Sequence, residues 1–86
     1  MNLDWNDLKF FLHVARLGGL SQATETTGLS AATLGRRIAA LEREIGRALF
    51  NRSQTGYRLT RAGEDLLAHA QDVEAAMRSV VNWREG

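Results

Sequence analysis

Along most of the chain, apolar residues recur at the three-and-four spacing of a helix rather than the alternation of a strand. In "DWNDLKFFLHVARLGG", Leu8, Phe11, Leu12 and Ala15 fall at i, i+3, i+4 and i+7, with Asp4 or Asn6 placed to cap the start and Gly18-Gly19 to end it. A short second helix follows, capped by Ser21, running to about Thr26 and leaving through Gly28-Leu29. Its β-branched Thr24, Thr26 and Thr27 make it weak in propensity. Ser30 then opens a third helix in which Leu34, Ile38, Leu41 and Ile45 recur at i, i+4, i+7 and i+11, with Gly46 as its stop. Arg36, Arg37 and Arg43 lie off that apolar stripe.

The period then changes. In "ALFNRSQTGYRLT", Leu49 to Arg52 and Tyr57 to Thr60 can pair as two short strands around Ser53-Gln54-Thr55-Gly56, with Gly56 able to supply a positive φ. Thr60 caps a long helix reaching about Trp83, roughly 35 Å at 1.5 Å per residue. Leu66, Ala70, Val73, Met77 and Val80 follow the 4-3-4-3 spacing of a coiled-coil seam along it. Near the wing, Leu66 and Leu67 are expected to pack on the same domain. Farther along, the helix outruns so small a body, and a second copy is expected to cover Val73, Met77 and Val80.

The predicted fold is mainly α: a winged helix-turn-helix of three helices and a two-stranded wing over residues 1–60, then a linker and dimerisation helix over 61–86, in one compact unit. At 86 residues one domain is expected, and the 44% hydrophobic and 24% charged composition is that of a globular chain. The absence of Pro removes the commonest helix breaker, and the absence of Cys excludes disulfides and thiolate metal sites. The N-terminus is acidic and no apolar run approaches the ~20 residues of a membrane span, so no signal peptide or membrane segment is predicted and a cytoplasmic location is expected.

Charge is uneven along the chain. Residues 1–35 carry −1 and residues 62–86 carry −3, whereas residues 36–61 hold Arg36, Arg37, Arg43, Arg47, Arg52, Arg58 and Arg61 against Glu42 and Glu44, a balance of +5. Arginine is the side chain suited to forked binding of phosphate or guanine. A cluster of this kind is also what a solvated face looks like, so its placement on the recognition helix and wing has to decide. In a helix-turn-helix the second helix enters the major groove and its first turns meet base edges. No catalytic, metal or cofactor site is predicted: His13 and His69 lie on different helices, Gly18-Gly19 follows no strand, and Glu42/Glu44 and Glu64/Asp65 do not share a helix face.

The segments "DWNDLKFFLHVARLGGLSQA", "LSAATLGRRIAALEREIGRALFNR" and "GYRLTRAGEDLLAHA" together resemble the N-terminal domain of LysR-type transcriptional regulators. The order of helix, helix-turn-helix, LFxR wing, LTxAG helix start and long linker helix recurs in register over essentially the whole chain. What the resemblance implies is a homodimer joined through the last helix and bound to partly palindromic double-stranded operator DNA, with the recognition helix at about 30–46. In that family an effector-binding domain normally follows, so no small-molecule effector is expected on this segment.

By position, Ser30 matches the family's serine that opens the recognition helix, as a cap and phosphate contact. Thr33 and Arg36 fall where the family commonly touches DNA, and Arg36 is assigned the base, guanine O6/N7, with Arg37 on a phosphate. Arg52 matches the LFxR arginine and is placed near the DNA backbone. Five positions depart from the pattern. Ala31-Ala32 replace the usual Gln-Pro, removing an amide that could pair with adenine but leaving methyls that can meet a thymine methyl. Gly35 stands for a serine and can let the backbone approach DNA, Thr55 for a common wing arginine, and Thr27 for a core leucine. The rival expectation is a winged dimerisation or protein-interaction module with weakened operator reading, which Ala31, Ala32, Gly35 and Thr55 would favour.

Overall fold

The computed structural model describes residues 2–86, and its elements follow in the order α1 (Trp5–Leu17), α2 (Leu20–Thr27), α3 (Ala31–Ile45), β1 (Phe50–Ser53), β2 (Gly56–Leu59) and α4 (Arg61–Glu85). Asp4 caps α1 by accepting from the Asn6 amide at 2.8 Å, and Gly18 ends it in the left-handed conformation. Helix α2 begins one residue ahead of Ser21, its expected cap: Gly19 is the N-cap, without a side-chain hydrogen bond, and Ser21 lies in the first turn. Leu20 is thereby drawn into the helix and onto the core. Thr27 offsets its poor fit to a core face, since its hydroxyl donates to the Ala23 carbonyl at 2.7 Å and accepts from the Leu29 amide at 3.3 Å.

Helix α1 packs against α2, α3 and α4, so its buried Phe11, Leu12 and Val14 sit at the centre of the molecule. Leu34, Ile38 and Leu41 of α3 complete that core, with Ile45 partly buried at its edge. Phe50 stacks between Phe11 and Tyr57, each pair of ring centroids lying 5.3 Å apart, which joins the wing to α1. The amide of Tyr57 also donates to the Gly18 carbonyl at 3.0 Å.

The wing strands run antiparallel in the register Phe50↔Leu59 to Ser53↔Gly56, closed by Gln54-Thr55, with Gly56 at a φ of 137°. Each strand is displaced by one residue from its predicted position: the Leu49 amide is taken by Glu42 of α3, and Thr60 serves as the cap of α4. Thr60 donates its amide to the Leu49 carbonyl at 3.0 Å, donates its hydroxyl to the Ala48 carbonyl at 2.7 Å, and caps α4 by accepting from the Gly63 amide at 3.0 Å. The first turn of α4 thus presses on the chain entering β1, and a Cβ at Gly63 would overlap the Leu49 carbonyl oxygen and lie 2.9 Å from Leu59 Cδ2.

Farther along α4 the apolar stripe divides. Leu66 packs partly buried on the core, as expected of it and Leu67, and Ala70 is fully buried within it. The small cross-section of alanine lets α4 lie close to the body there. Beyond it Val73, Met77 and Val80 are 40%, 43% and 56% exposed. Arg16 of α1 holds this stretch in place with a two-toothed bond to Glu74, at 2.6 and 2.9 Å.

Gly63→Ala should destabilise by about 1–3 kcal/mol through overpacking against backbone, while Gly35→Ala, whose Cβ would meet Leu20 Cδ1 at an ordinary 3.4 Å, should stabilise α3 by about 0.5–1 kcal/mol; urea unfolding reads both. The Arg16 hydrogen bonds lower the Glu74 pKa from 4.5 to about 2, against partial burial that pulls it up. A lowered folded-state pKa gives stability that is present above 4.5 and lost as pH falls through about 2, so the acid loss across that window should be shallower in Glu74→Gln than in wild type.

Candidate nucleic-acid interface

Helix α3 buries Leu34, Ile38 and Leu41 and exposes the opposite side, where Ala32, Arg36 and Arg43 follow one another at helical spacing. Its start is built by a serine cap: Ser30, at φ −68° and ψ 158°, accepts from the Thr33 amide at 3.2 Å. The Ser30 hydroxyl donates to Thr33 Oγ1 at 3.0 Å, and the same Oγ1 accepts from Arg36 Nη2 at 3.2 Å. Ser30, Thr33 and Arg36 therefore form one hydrogen-bonded row on the first two turns. A single guanidinium N–H is engaged in that bond, leaving the other donors of the fork available.

Ala32 is exposed and Ala31 half-buried beside this row, so small side chains flank the arginine. A Cβ at Gly35 would meet Leu20 Cδ1 of α2 at 3.4 Å. Thr55 sits at the wing tip with its amide donating to Ser53 Oγ at 3.3 Å and its hydroxyl 2.9 Å from the same oxygen. Between the wing tip and the starts of α2 and α3 runs an open groove of ≈ 330 Å³, lined in part by Ser21, Gln22, Ala31, Gln54 and Thr55.

The seven arginines of the basic block separate into two sets. Among the described residues, Arg36, Arg43, Arg47 and Arg58 have no carboxylate within 4.0 Å. Arg37 donates to Asp7 of α1 at 3.1 Å with its guanidinium 6.0 Å from the Phe10 ring centre, and Arg61 makes a long 3.9 Å pair with Asp65. Arg52 donates to Glu42 at 2.7 Å and lies 5.4 Å over the Tyr57 ring. Both acids of α3 are turned to the protein itself, because Glu44 accepts from the Asn2 amide at 2.8 Å. The exposed side of α3 consequently carries uncompensated positive charge, which draws a polyanion.

Sequence reasoning did not foresee the partners of Arg37 and Arg52. Asp7 lies 30 residues from Arg37, and nothing local links them. Glu42 had a signal, being a lone acid between Arg36, Arg37 and Arg43, but its target depends on how the chain turns after Gly46.

This geometry has close counterparts. The model of bacterial regulatory helix-turn-helix proteins of the lysR family matches residues 5–64. The HTH-type transcriptional regulator TfdT of Cupriavidus pinatubonensis is 38% identical over 76 residues, covering 88% of this chain and 33% of that protein. The HTH-type transcriptional regulator IlvY of Escherichia coli is 39% identical over 69 residues, covering 80% and 23%. The chain thus spans a third or less of the length of these relatives. Among solved structures, a complex of the CbnR DNA-binding domain with DNA superposes with a TM-score of 0.86 at 33% identity, covering 96% of this chain and 97% of that one. The oxidized form of Corynebacterium glutamicum OxyR superposes with a TM-score of 0.91 at 26% identity, covering 100% of this chain and 28% of that one. With a family match that runs from the start of α1 through the wing to the first turn of α4, the chain belongs to the lysR family of bacterial regulatory helix-turn-helix proteins.

Proposed function

We propose that this chain is the sequence-specific DNA-binding unit of a cytoplasmic, homodimeric transcriptional regulator, acting on partly palindromic operator DNA. The observation that carries the proposal is the Ser30–Thr33–Arg36 row on the exposed side of α3, where Arg36 has no competing carboxylate among the described residues. With α3 in the major groove, Arg36 forks onto guanine O6/N7, and Ala31 and Ala32 meet thymine methyls. Ser30 takes a phosphate at the helix start.

The duplex backbone follows the groove beside the wing tip, past Ser21 and Thr55. Arg37, whose side chain is half exposed, takes a phosphate in place of its pair with Asp7. DNA of matching sequence is therefore held by one arginine read-out, methyl contacts and backbone shape. No helix among the described residues is long and apolar enough to cross a membrane, and the chain by itself takes neither cofactor nor small-molecule effector in this proposal. Homodimerisation is carried by Val73, Met77 and Val80, which stand exposed on the outer half of α4.

Binding of operator and random duplexes across a salt series tests the DNA contacts. Arg36→Ala should cost about 1–3 kcal/mol on the operator and relax preference at one base pair, whereas Arg37→Ala should weaken every sequence alike. Equal operator binding by Arg36→Ala and wild type would remove Arg36 from its role. Light scattering at tens of micromolar tests assembly: the mass should be twice 9.5 kDa and fall to the monomer in Met77→Glu.

A further inference from the structure

Glu42 stands on the last turns of α3, with only 16% of its side chain exposed, yet no part of the proposed DNA contact needs a carboxylate there. Its two oxygens are used on three donors of the next segment. Oε2 accepts from the Leu49 amide at 2.8 Å and the Phe50 amide at 3.3 Å, and Oε1 accepts from Arg52 Nη2 at 2.7 Å. Arg52 in turn lies over Tyr57, its cross-strand neighbour, and the Tyr57 amide is fixed to the Gly18 carbonyl. A continuous series of polar and stacking contacts therefore runs from the recognition helix through both wing strands to the end of α1.

Two features distinguish this from an incidental surface pair. The carboxylate is pinned by backbone amides before it meets Arg52, so the arginine is docked onto a fixed point rather than onto a mobile side chain. Arg52 also spends its charge there, on a short charge-assisted bond, while Arg36, Arg43, Arg47 and Arg58 keep theirs free among the described residues.

We infer that Glu42 and Arg52 act as one positioning unit, which sets the angle of the wing to the recognition helix and so fixes the register between base contacts and backbone contacts on DNA. Arg52 contributes to operator selectivity through Glu42 and adds no phosphate charge of its own. Selectivity arises because the wing and α3 must both fit one duplex; a loosened wing still tolerates random DNA but no longer rewards the correct site.

The inference rests on the DNA-binding proposal, and salt-series titrations of operator and random duplexes with wild type, Glu42→Gln, Arg52→Gln and the double variant separate the two. Wild type that fails to discriminate between the duplexes overturns both. Given discrimination, each single variant should lower the ratio of operator to random affinity about tenfold, as expected for loss of a charge-assisted bond. The double variant should lose no more than either single one. The salt slope of Arg52→Gln should equal that of wild type, whereas a phosphate-binding arginine would reduce it by about 1. An unchanged affinity ratio, multiplying losses in the double variant, or a reduced slope in Arg52→Gln overturns the inference. Should Glu42→Gln fail to fold, Arg52→Gln, which leaves both amide bonds to Glu42 intact, decides by ratio and slope alone.

Discussion

The backbone of Leu49 is where the molecule is joined. Its amide donates to Glu42 of α3, its carbonyl accepts from Thr60, and that carbonyl lies against the bare Cα of Gly63. Three elements, α3, the wing and α4, meet within this one peptide's reach. Its side chain is fully buried, so the junction is dry on one side and hydrogen-bonded on the other. The wing cannot change its inclination without disturbing both α3 and α4, and this is why a two-stranded hairpin, marginal when isolated, stands firmly here.

The core that supports this junction is small but layered. Helix α1 lies between the helix pair and α4, and its Phe11 meets Phe50, so the hairpin is fastened by an aromatic contact as well as by backbone bonds. Helix α3 divides its circumference cleanly. Leu34, Ile38 and Leu41 supply the buried side, and Ala32 and the arginines are left to the solvent side. The same residue spacing that builds the core thus presents Arg36 outward.

Much of this was legible in the sequence, and the reasons differ by element. Helices α1, α3 and α4 announce themselves through capping residues and a 3.6-residue period, both of which are local, and Asp4, Ser30 and Thr60 cap where they were expected to. The strand ends moved because the Leu49 amide goes to Glu42 of α3 and Thr60 caps α4, and a hairpin's alternation carries no trace of such claims. Helix α2 began early because Leu20 had a core to reach, which overrode the capping preference of Ser21. The basic block was visible as composition, but its division into free and engaged arginines was not. Asp7 and Glu42 reach across the fold to Arg37 and Arg52, and formal charge counts treat all seven arginines as equal. Ala70 shows the same limit from the apolar side, since heptad spacing cannot tell which part of a stripe the chain will cover by itself.

The fork between Arg16 and Glu74 ties the middle of α4 to the end of α1. Inward of it the helix is bedded on the core; outward of it Met77, Arg78 and Val81 face Trp5, Lys9 and His13 of α1 across an open cleft. Helix α1 also carries the hairpin through Phe11 and Phe50, so the wing and α4 share one support.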